Sequence, residues 1–343
     1  METNMHEPID DRRGCSRRAF LKIAGIVGTL STFPIAAIAK PARRELKRPL
    51  DPQEFKKHLA GPILSLPTTF NEDLTVNHEA IHRMIGRAIR YGVPIVELTA
   101  GNSKYACLEF DEIKAVTRSM VEAADGKGIT IAATGAWPTE QVIDYARFSN
   151  SHGADAIQIL LPEGVTDENL LYEHFLRISK STPLPIVLHG IYSLPLLKRL
   201  AEIDSIVAMK EDGELTYYID RAANFGDRFE IFSGGAENRY LVGYPYGARS
   251  FFSTYTGFAP DKPMLFWDAI RKGDLKQAVK ITKKYDYPFI SRFTHPFWHA
   301  TLEYFEVAKR FMRKPFETLP ESELAGVKAF FDGQGVNPVD YRV

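Results

Sequence analysis

The chain has 343 residues, 45% of them hydrophobic, with 43 lysines and arginines balancing 43 aspartates and glutamates. That length and apolar content suffice for a large folded core. A neutral balance gives no electrostatic ground for a nucleic-acid or anionic-membrane partner, and two cysteines are too few for a disulfide scaffold.

The N-terminus reads as an address. Ser16-Arg17-Arg18-Ala19-Phe20-Leu21-Lys22 precedes an apolar run from Ile23 to Ile38 and the small-x-small ending Ala37-Ile38-Ala39. Paired arginines, a short apolar stretch and that ending describe a twin-arginine export signal. A membrane-spanning helix is the alternative, but Gly25, Gly28 and Pro34 interrupt the run, which is short for a span of about 20 residues. The expected destination is periplasmic or otherwise extracytoplasmic, with the twin-arginine translocation machinery as a transient partner. Cleavage after residue 39 removes five basic and four acidic residues and leaves 38 and 39, still close to neutral. Cys107 is then the lone cysteine and is expected as a packed thiol.

The chain divides into residues 1–39 (export signal), 40–60 (charged tether and N-terminal helix), 61–259 (barrel) and 260–343 (last barrel helix and helical extension). Apolar runs predict strands at 63–66, 95–99, 130–133, 156–160, 186–189, 205–210, 229–232 and 250–254. Amphipathic segments between them predict helices over 78–91, 112–124, 139–152 and 168–181, with Thr139 and Thr166 or Asp167 as N-caps and Gly92 and Gly153 as stops. Eight strands alternating with helices imply a parallel sheet closed into a (β/α)8 barrel, a TIM barrel with a C-terminal helical extension. An open doubly wound sheet is the competing architecture, but no Gly-x-Gly-x-x-Gly turn follows the first strand.

In such a barrel chemistry collects at the C-terminal ends of the strands. That rule selects Gly101-Asn102-Ser103, Gly135-Ala136, Pro162-Glu163, His189, Lys210 and Ser233-Gly234-Gly235. Lys210 ends the apolar run Ser205-Ile206-Val207-Ala208-Met209. A lysine there either extends to water or, where its ammonium is costly to desolvate, offers a nucleophilic amine.

These segments resemble the dihydrodipicolinate synthase/N-acetylneuraminate lyase superfamily of class I, Schiff-base aldolases. Gly61-Pro62-Ile63 through Pro67-Thr68-Thr69-Phe70, Ala133-Thr134-Gly135-Ala136, Gly153-Ala154-Asp155-Ala156 and Gly257-Phe258-Ala259-Pro260 are similar to family segments. Ile206-Val207-Ala208-Met209-Lys210-Glu211 matches the strand that bears the family's Schiff-base lysine. The resemblance implies a barrel assembled as dimers or tetramers, a 2-keto acid substrate, and a covalent lysine imine in place of any cofactor. Against the family's Gly-Thr-Thr-Gly-Glu loop this chain has Ala100-Gly101-Asn102-Ser103-Lys104, which leaves Gly101 where a proton-relay threonine is expected. A shifted alignment restores Thr99 to that role. The tyrosine after strand four falls on Gly164, and the tyrosine ending strand five becomes His189. The arginine that grips a second carboxylate in lysine-biosynthetic members has no counterpart, which argues against that reaction.

His189 is therefore the expected proton-transfer group, since imidazole accepts and donates near neutrality. Gly101, Asn102, Ser103, Glu163, Gly234 and Phe252 are the expected substrate contacts, while Tyr192 and Tyr255 read as rim aromatics. His78 with His82, and His295 with His299 and Glu303, have helical ligand spacing but lie far from the expected chemistry, so no metal site is expected. Two functions remain: a lyase acting through a Lys210 imine, as aldolase or dehydratase, and a barrel that binds a keto acid or sugar acid without turnover.

Overall fold

The structure, a computed structural model, describes residues 50–342, and the expected export signal with most of the expected tether lies outside the described residues. All eight expected strands are present: β1 Gly61–Ser65, β2 Ile95–Glu97, β3 Ile129–Ala133, β4 Ala156–Leu160, β5 Ile186–His189, β6 Ile206–Glu211, β7 Glu230–Ser233 and β8 Ser250–Phe252. Every ladder is parallel, in the order β7-β6-β5-β4-β3-β2-β1-β8. The helices are α1 Pro52–His58, α2 His78–Arg90, α3 Phe110–Ala124, α4 Thr139–Ser151, α5 Glu168–Ser179, α6 Leu194–Leu200 and α7 Leu215–Phe225. They continue with α8 Glu237–Gly243, α9 Asp261–Arg271, α10 Leu275–Lys284, α11 Asp286–Ile290, α12 His295–Tyr304 and α13 Leu324–Gln334. The architecture is a (β/α)8 barrel with a C-terminal helical extension, α10 to α13.

Local chemistry sets the element ends. Asp51 caps α1 by accepting from the Gln53 and Glu54 amides, with proline at the first helical position. Glu109 and Glu112 form a capping box at α3, and Asp167 caps α5. Gly92 (φ +92°) and Gly153 (φ +87°) end α2 and α4 in the left-handed region. Thr139 is not a cap: it is the first residue of α4, and its hydroxyl pairs with His174 Nδ1 at 2.9 Å. Strand β2 stops two residues early because the Thr99 amide turns to the Ser103 hydroxyl, 3.0 Å away, instead of continuing the ladder.

Inside the barrel, Ile63, Ile95, Ile129, Ile131, Ala156, Val187, Val207, Ala208 and Phe232 form one apolar cluster, closed below by Leu50, Phe55 and Leu59 on and around α1. Further along, the inward positions turn polar: Ser65, Glu97, Gln158, His189 and Lys210 are all buried. The seam between β7 and β8 is closed by one side chain. Glu230 of β7 accepts from the backbone amides of Arg249 (2.7 Å) and Ser250 (3.2 Å) and pairs with the Arg249 guanidinium at 2.8 Å.

One irregularity decides which way β6 faces. Ile186 pairs with Ile206, but Val187 pairs with Ala208, so Val207 is an extra residue on β6. Val207 and Ala208 both lie in the interior cluster, while Ile206 and Met209 pack outward against the helices. Strict alternation from Ile206 would send Lys210 outward; the one-residue slip turns it into the barrel.

Candidate active site

The slip that turns Lys210 inward also sets it beside His189, its register partner on β5. Both sit at strand ends, 6% and 7% exposed, beside a cavity of about 480 Å³ at the C-terminal mouth of the barrel. Ser65, Thr99, Gly101, Asn102, Asp212, Gly234, Phe252 and Ser253 also line this cavity, and Ile290 and Phe293 of the helical extension cover it.

Three polar side chains converge at its base. Lys210 Nζ lies 2.8 and 2.7 Å from the two Asp212 oxygens and 2.8 Å from His189 Nε2. His189 Nε2 is in turn 2.6 Å from Asp212 Oδ2. The three groups form a triangle in which each pair is within hydrogen-bond distance. Burial and the neighbouring Lys210 charge push the His189 pKa below its ordinary 6.5, against the pull of Asp212, so the imidazole is neutral near pH 7. Burial would raise the Asp212 carboxyl, but the bond to His189 and the Lys210 charge outweigh it and hold the group well below the usual carboxylate range. Gly234 makes room for this arrangement: a Cβ there would overlap Asp212 Oδ1 and come within 2.9 Å of Lys210 Nζ. The Phe252 ring lies 5.7 Å from the same nitrogen.

On the opposite wall Asn102 Nδ2 donates to Ser65 Oγ at 2.9 Å, and the hydroxyls of Ser65 and Thr99 are 3.4 Å apart. Thr99 thus presents a hydroxyl to the cavity where ungapped alignment leaves Gly101. Lys104 fixes this loop from behind. It takes a left-handed φ of +62°, and its buried Nζ donates to the Asn102 carbonyl (2.9 Å) and lies 2.9 Å from His295 Nδ1 of α12. Burial lowers the Lys104 pKa to about 7 and, with Lys104 nearby, that of His295 to about 4.

Gly101, Asn102, Gly234, Phe252, His189 and Lys210 are therefore brought together around one cavity. Two expected contacts are not. Ser103 is fully buried, its hydroxyl donating to Leu66 O (2.6 Å) while accepting from the Thr99 amide, so it ties two loops together and presents nothing to a substrate. Glu163 is exposed beyond β4 and off the cavity lining, its amide bonded to Ala136 O. Tyr192 and Tyr255 are not rim residues: both are buried, Tyr192 donating to the His189 carbonyl and Tyr255 to Gln334. Cys107 is half-buried in the loop after β2, its thiol directed at Lys104 O. His78 bonds Ser119, 2.7 Å away. Sequence reasoning missed Asp212, although it follows Lys210 by two residues, a spacing that lets a loop carboxylate fold back on a strand-end amine.

A (β/α)8 barrel with a lysine amine buried at its C-terminal mouth is an architecture suited to lysine-imine lyases. The chain belongs to the dihydrodipicolinate synthetase family, whose model matches residues 58–332, and it is a lyase. Members of this family use a lysine Schiff base without a cofactor and are generally oligomers acting on small keto acids. The chain is 28% identical over 233 residues to 4-hydroxy-tetrahydrodipicolinate synthase of Pelobacter propionicus, covering 64% of this chain and 79% of that protein. It is 29% identical over 255 residues to a probable 5-dehydro-4-deoxyglucarate dehydratase of Chelativorans sp., covering 71% and 83%. Among solved structures, dihydrodipicolinate synthase of Bacillus clausii superposes with a TM-score of 0.75 at 19% identity, over 82% of this chain and 100% of that one. A prophage protein of E. coli K12, in complex with pyruvate, superposes at 0.70 and 19%, over 81% and 99%. At these identities the superpositions establish the fold.

Proposed function

We propose that the chain is a Schiff-base-forming aldolase or dehydratase acting on a pyruvate-like or sugar-derived 2-keto acid through Lys210. The observation that carries this reading is the Lys210 amine, held at the base of the cavity with His189 Nε2 at 2.8 Å. Attack of the free amine on the C2 carbonyl, with loss of water, gives an imine that accepts the electron pair released when a carbon–carbon bond breaks or a β-hydroxyl leaves. His189 is the proton-transfer group, neutral near pH 7 and so able to accept before it donates. Asn102, Gly101 and Ser65 offer the substrate carboxylate an amide, backbone donors and a hydroxyl across from the amine.

Lysine biosynthesis is a poorer fit. Among the described residues no arginine lines the cavity, so a second carboxylate has no bidentate partner. The dehydratase named among the relatives lends weight to a sugar-derived substrate. Export through the arginine pair at residues 17 and 18 and assembly as a homodimer or homotetramer belong to the same reading, the first on the N-terminal sequence and the second on family membership.

The test is borohydride trapping across a panel of 2-keto acids. A pyruvate-sized mass increment on the peptide containing Lys210, absent in Lys210→Ala, is the expected result. No adduct with any keto acid would transfer the chain to the non-catalytic binding function.

A further inference from the structure

Imine formation has a proton problem that the hydroxyls of this cavity do not solve. Lys210 and Asp212 form an ion pair at 2.7 Å, and the amine must lose protons before it attacks. Later the carbinolamine oxygen must gain one to leave as water. The Ser65 and Thr99 hydroxyls bond each other, the Ser65 hydroxyl also takes the Asn102 amide, and the remaining ring nitrogen of His189 has no partner. Among the described residues no hydroxyl is hydrogen-bonded to the amine, whose partners are His189 and Asp212. Asp212 Oδ2, by contrast, is within 2.7 Å of Lys210 Nζ and 2.6 Å of His189 Nε2.

We infer that Asp212 is a catalytic residue, the acid–base hub that takes protons from Lys210, exchanges them with His189 and returns them to the departing oxygen. The inference rests on the Lys210 imine reading and deepens it. A proton moves from Nζ to Asp212 Oδ2, leaving an amine and a carboxylic acid; the transfer itself removes the Lys210 charge that holds the carboxyl low. The nitrogen lone pair forms the N–C2 bond while the carbonyl π pair moves to oxygen. A second nitrogen proton crosses to that oxygen by way of His189 and Asp212, giving a neutral carbinolamine. The C2–O bond then breaks with protonation from Asp212, water leaves, and the nitrogen lone pair closes the C=N bond. Ammonium plus ketone has become protonated imine plus water, with no outside acid or base. Asp212 ends as a carboxylate facing the new cation.

Two features of the chain serve this role. Asp212 is half-exposed, its side chain 45% accessible, so it faces the cavity where the carbinolamine oxygen forms. The adjoining Gly234 leaves no Cβ to displace it. Its partners are few: on β5 His189, on β6 Lys210, and from β2 the buried Glu97 carboxyl, which acts on it at longer range.

The test measures the rate of adduct formation by quenching with borohydride at short times, in the full chain, with whichever 2-keto acid labels the wild type. Asp212→Asn and Asp212→Ala are expected to slow labelling by about 10²–10³-fold while reaching wild-type labelling at long times. Added formate should accelerate Asp212→Ala in proportion to its concentration and leave the wild type unchanged, which loss of a structural contact would not produce. Near-identical melting temperatures would show that Asp212→Asn is folded. Labelling of both variants at the wild-type rate would overturn the inference while leaving the Lys210 imine intact. No labelling of the wild type by any keto acid would overturn both.

Discussion

Glu97 carries a carboxyl into the barrel interior, fully buried, and neither oxygen has a hydrogen-bond partner. Gln158 of β4 is likewise buried at an inward position, and the Lys210 charge of β6 acts on Glu97. Both polar atoms of Gln158 also lack a partner. Burial raises the Glu97 pKa to about 8, against the attraction of Lys210. The consequence for stability has a definite sign. Below the ordinary carboxyl pKa both states hold the proton and nothing is lost. Between there and about 8 the unfolded chain releases it while the folded chain keeps it, so stability falls as pH rises and levels off above 8. Glu97→Gln should abolish that slope. Urea unfolding should find the variant gaining on the wild type by on the order of 3 kcal/mol between about pH 5 and about pH 8.5. Parallel pH profiles for the two proteins would mean that Glu97 is ionised in the native state.

At the scale of elements, two local devices shape the barrel. The first is the Glu230 carboxylate, which does the work of a ladder between β7 and β8 by accepting two backbone amides and a guanidinium. It is 2% exposed, and burial raises its pKa against the pull of Arg249. Glu230→Ala leaves two amides and a charged partner without an acceptor and should cost about 3 kcal/mol. Glu230→Gln keeps one acceptor oxygen and should cost less. Thermal melts that place Glu230→Ala level with the wild type would show that the seam closes without this side chain. The second device is the extra residue Val207 on β6, which rotates the end of the strand and sets Lys210 against His189. Its effect is positional, and the pair proposed as catalytic is brought together by it.

The whole molecule joins a barrel to helices that reach back over its mouth. Tyr255 and Phe258, just after β8, pack against Phe289 and Phe331 of α11 and α13, with ring centroids 4.8 to 6.3 Å apart across the group. This aromatic packing holds α11 where Ile290, and then Phe293, cover the cavity. The twin-arginine route proposed above carries folded proteins and depends on the arginine pair. Replacing Arg17 and Arg18 by lysines should therefore retain a folded reporter fusion in the cytosol. Cell fractionation would detect the change, and undiminished extracytoplasmic reporter in the double variant would remove the twin-arginine assignment.

Much of this protein was legible in residue order. Apolar runs of four to six residues bounded by turn chemistry located all eight strands, because a parallel barrel strand is buried on both faces and must be apolar along its length. Amphipathic periodicity and caps such as Asp167 located α2 to α5. The rule that barrel chemistry gathers at the C-terminal strand ends selected Lys210, His189, Asn102 and Gly234, all of which meet one cavity. The same rule over-reached at Ser103 and Glu163, because it fixes the height of a residue in the barrel and says nothing about which way a loop side chain turns. What only the tertiary structure decided depends on distant partners. The slip at Val207 is set by pairing with β5, and one residue of slip exchanges the two faces of a strand, so local sequence alone could not say that Lys210 points inward. Asp212 joins the pair because Gly234, on the next strand end, leaves space for it, and the Glu230 seam exists because the last strand returns to the first through space.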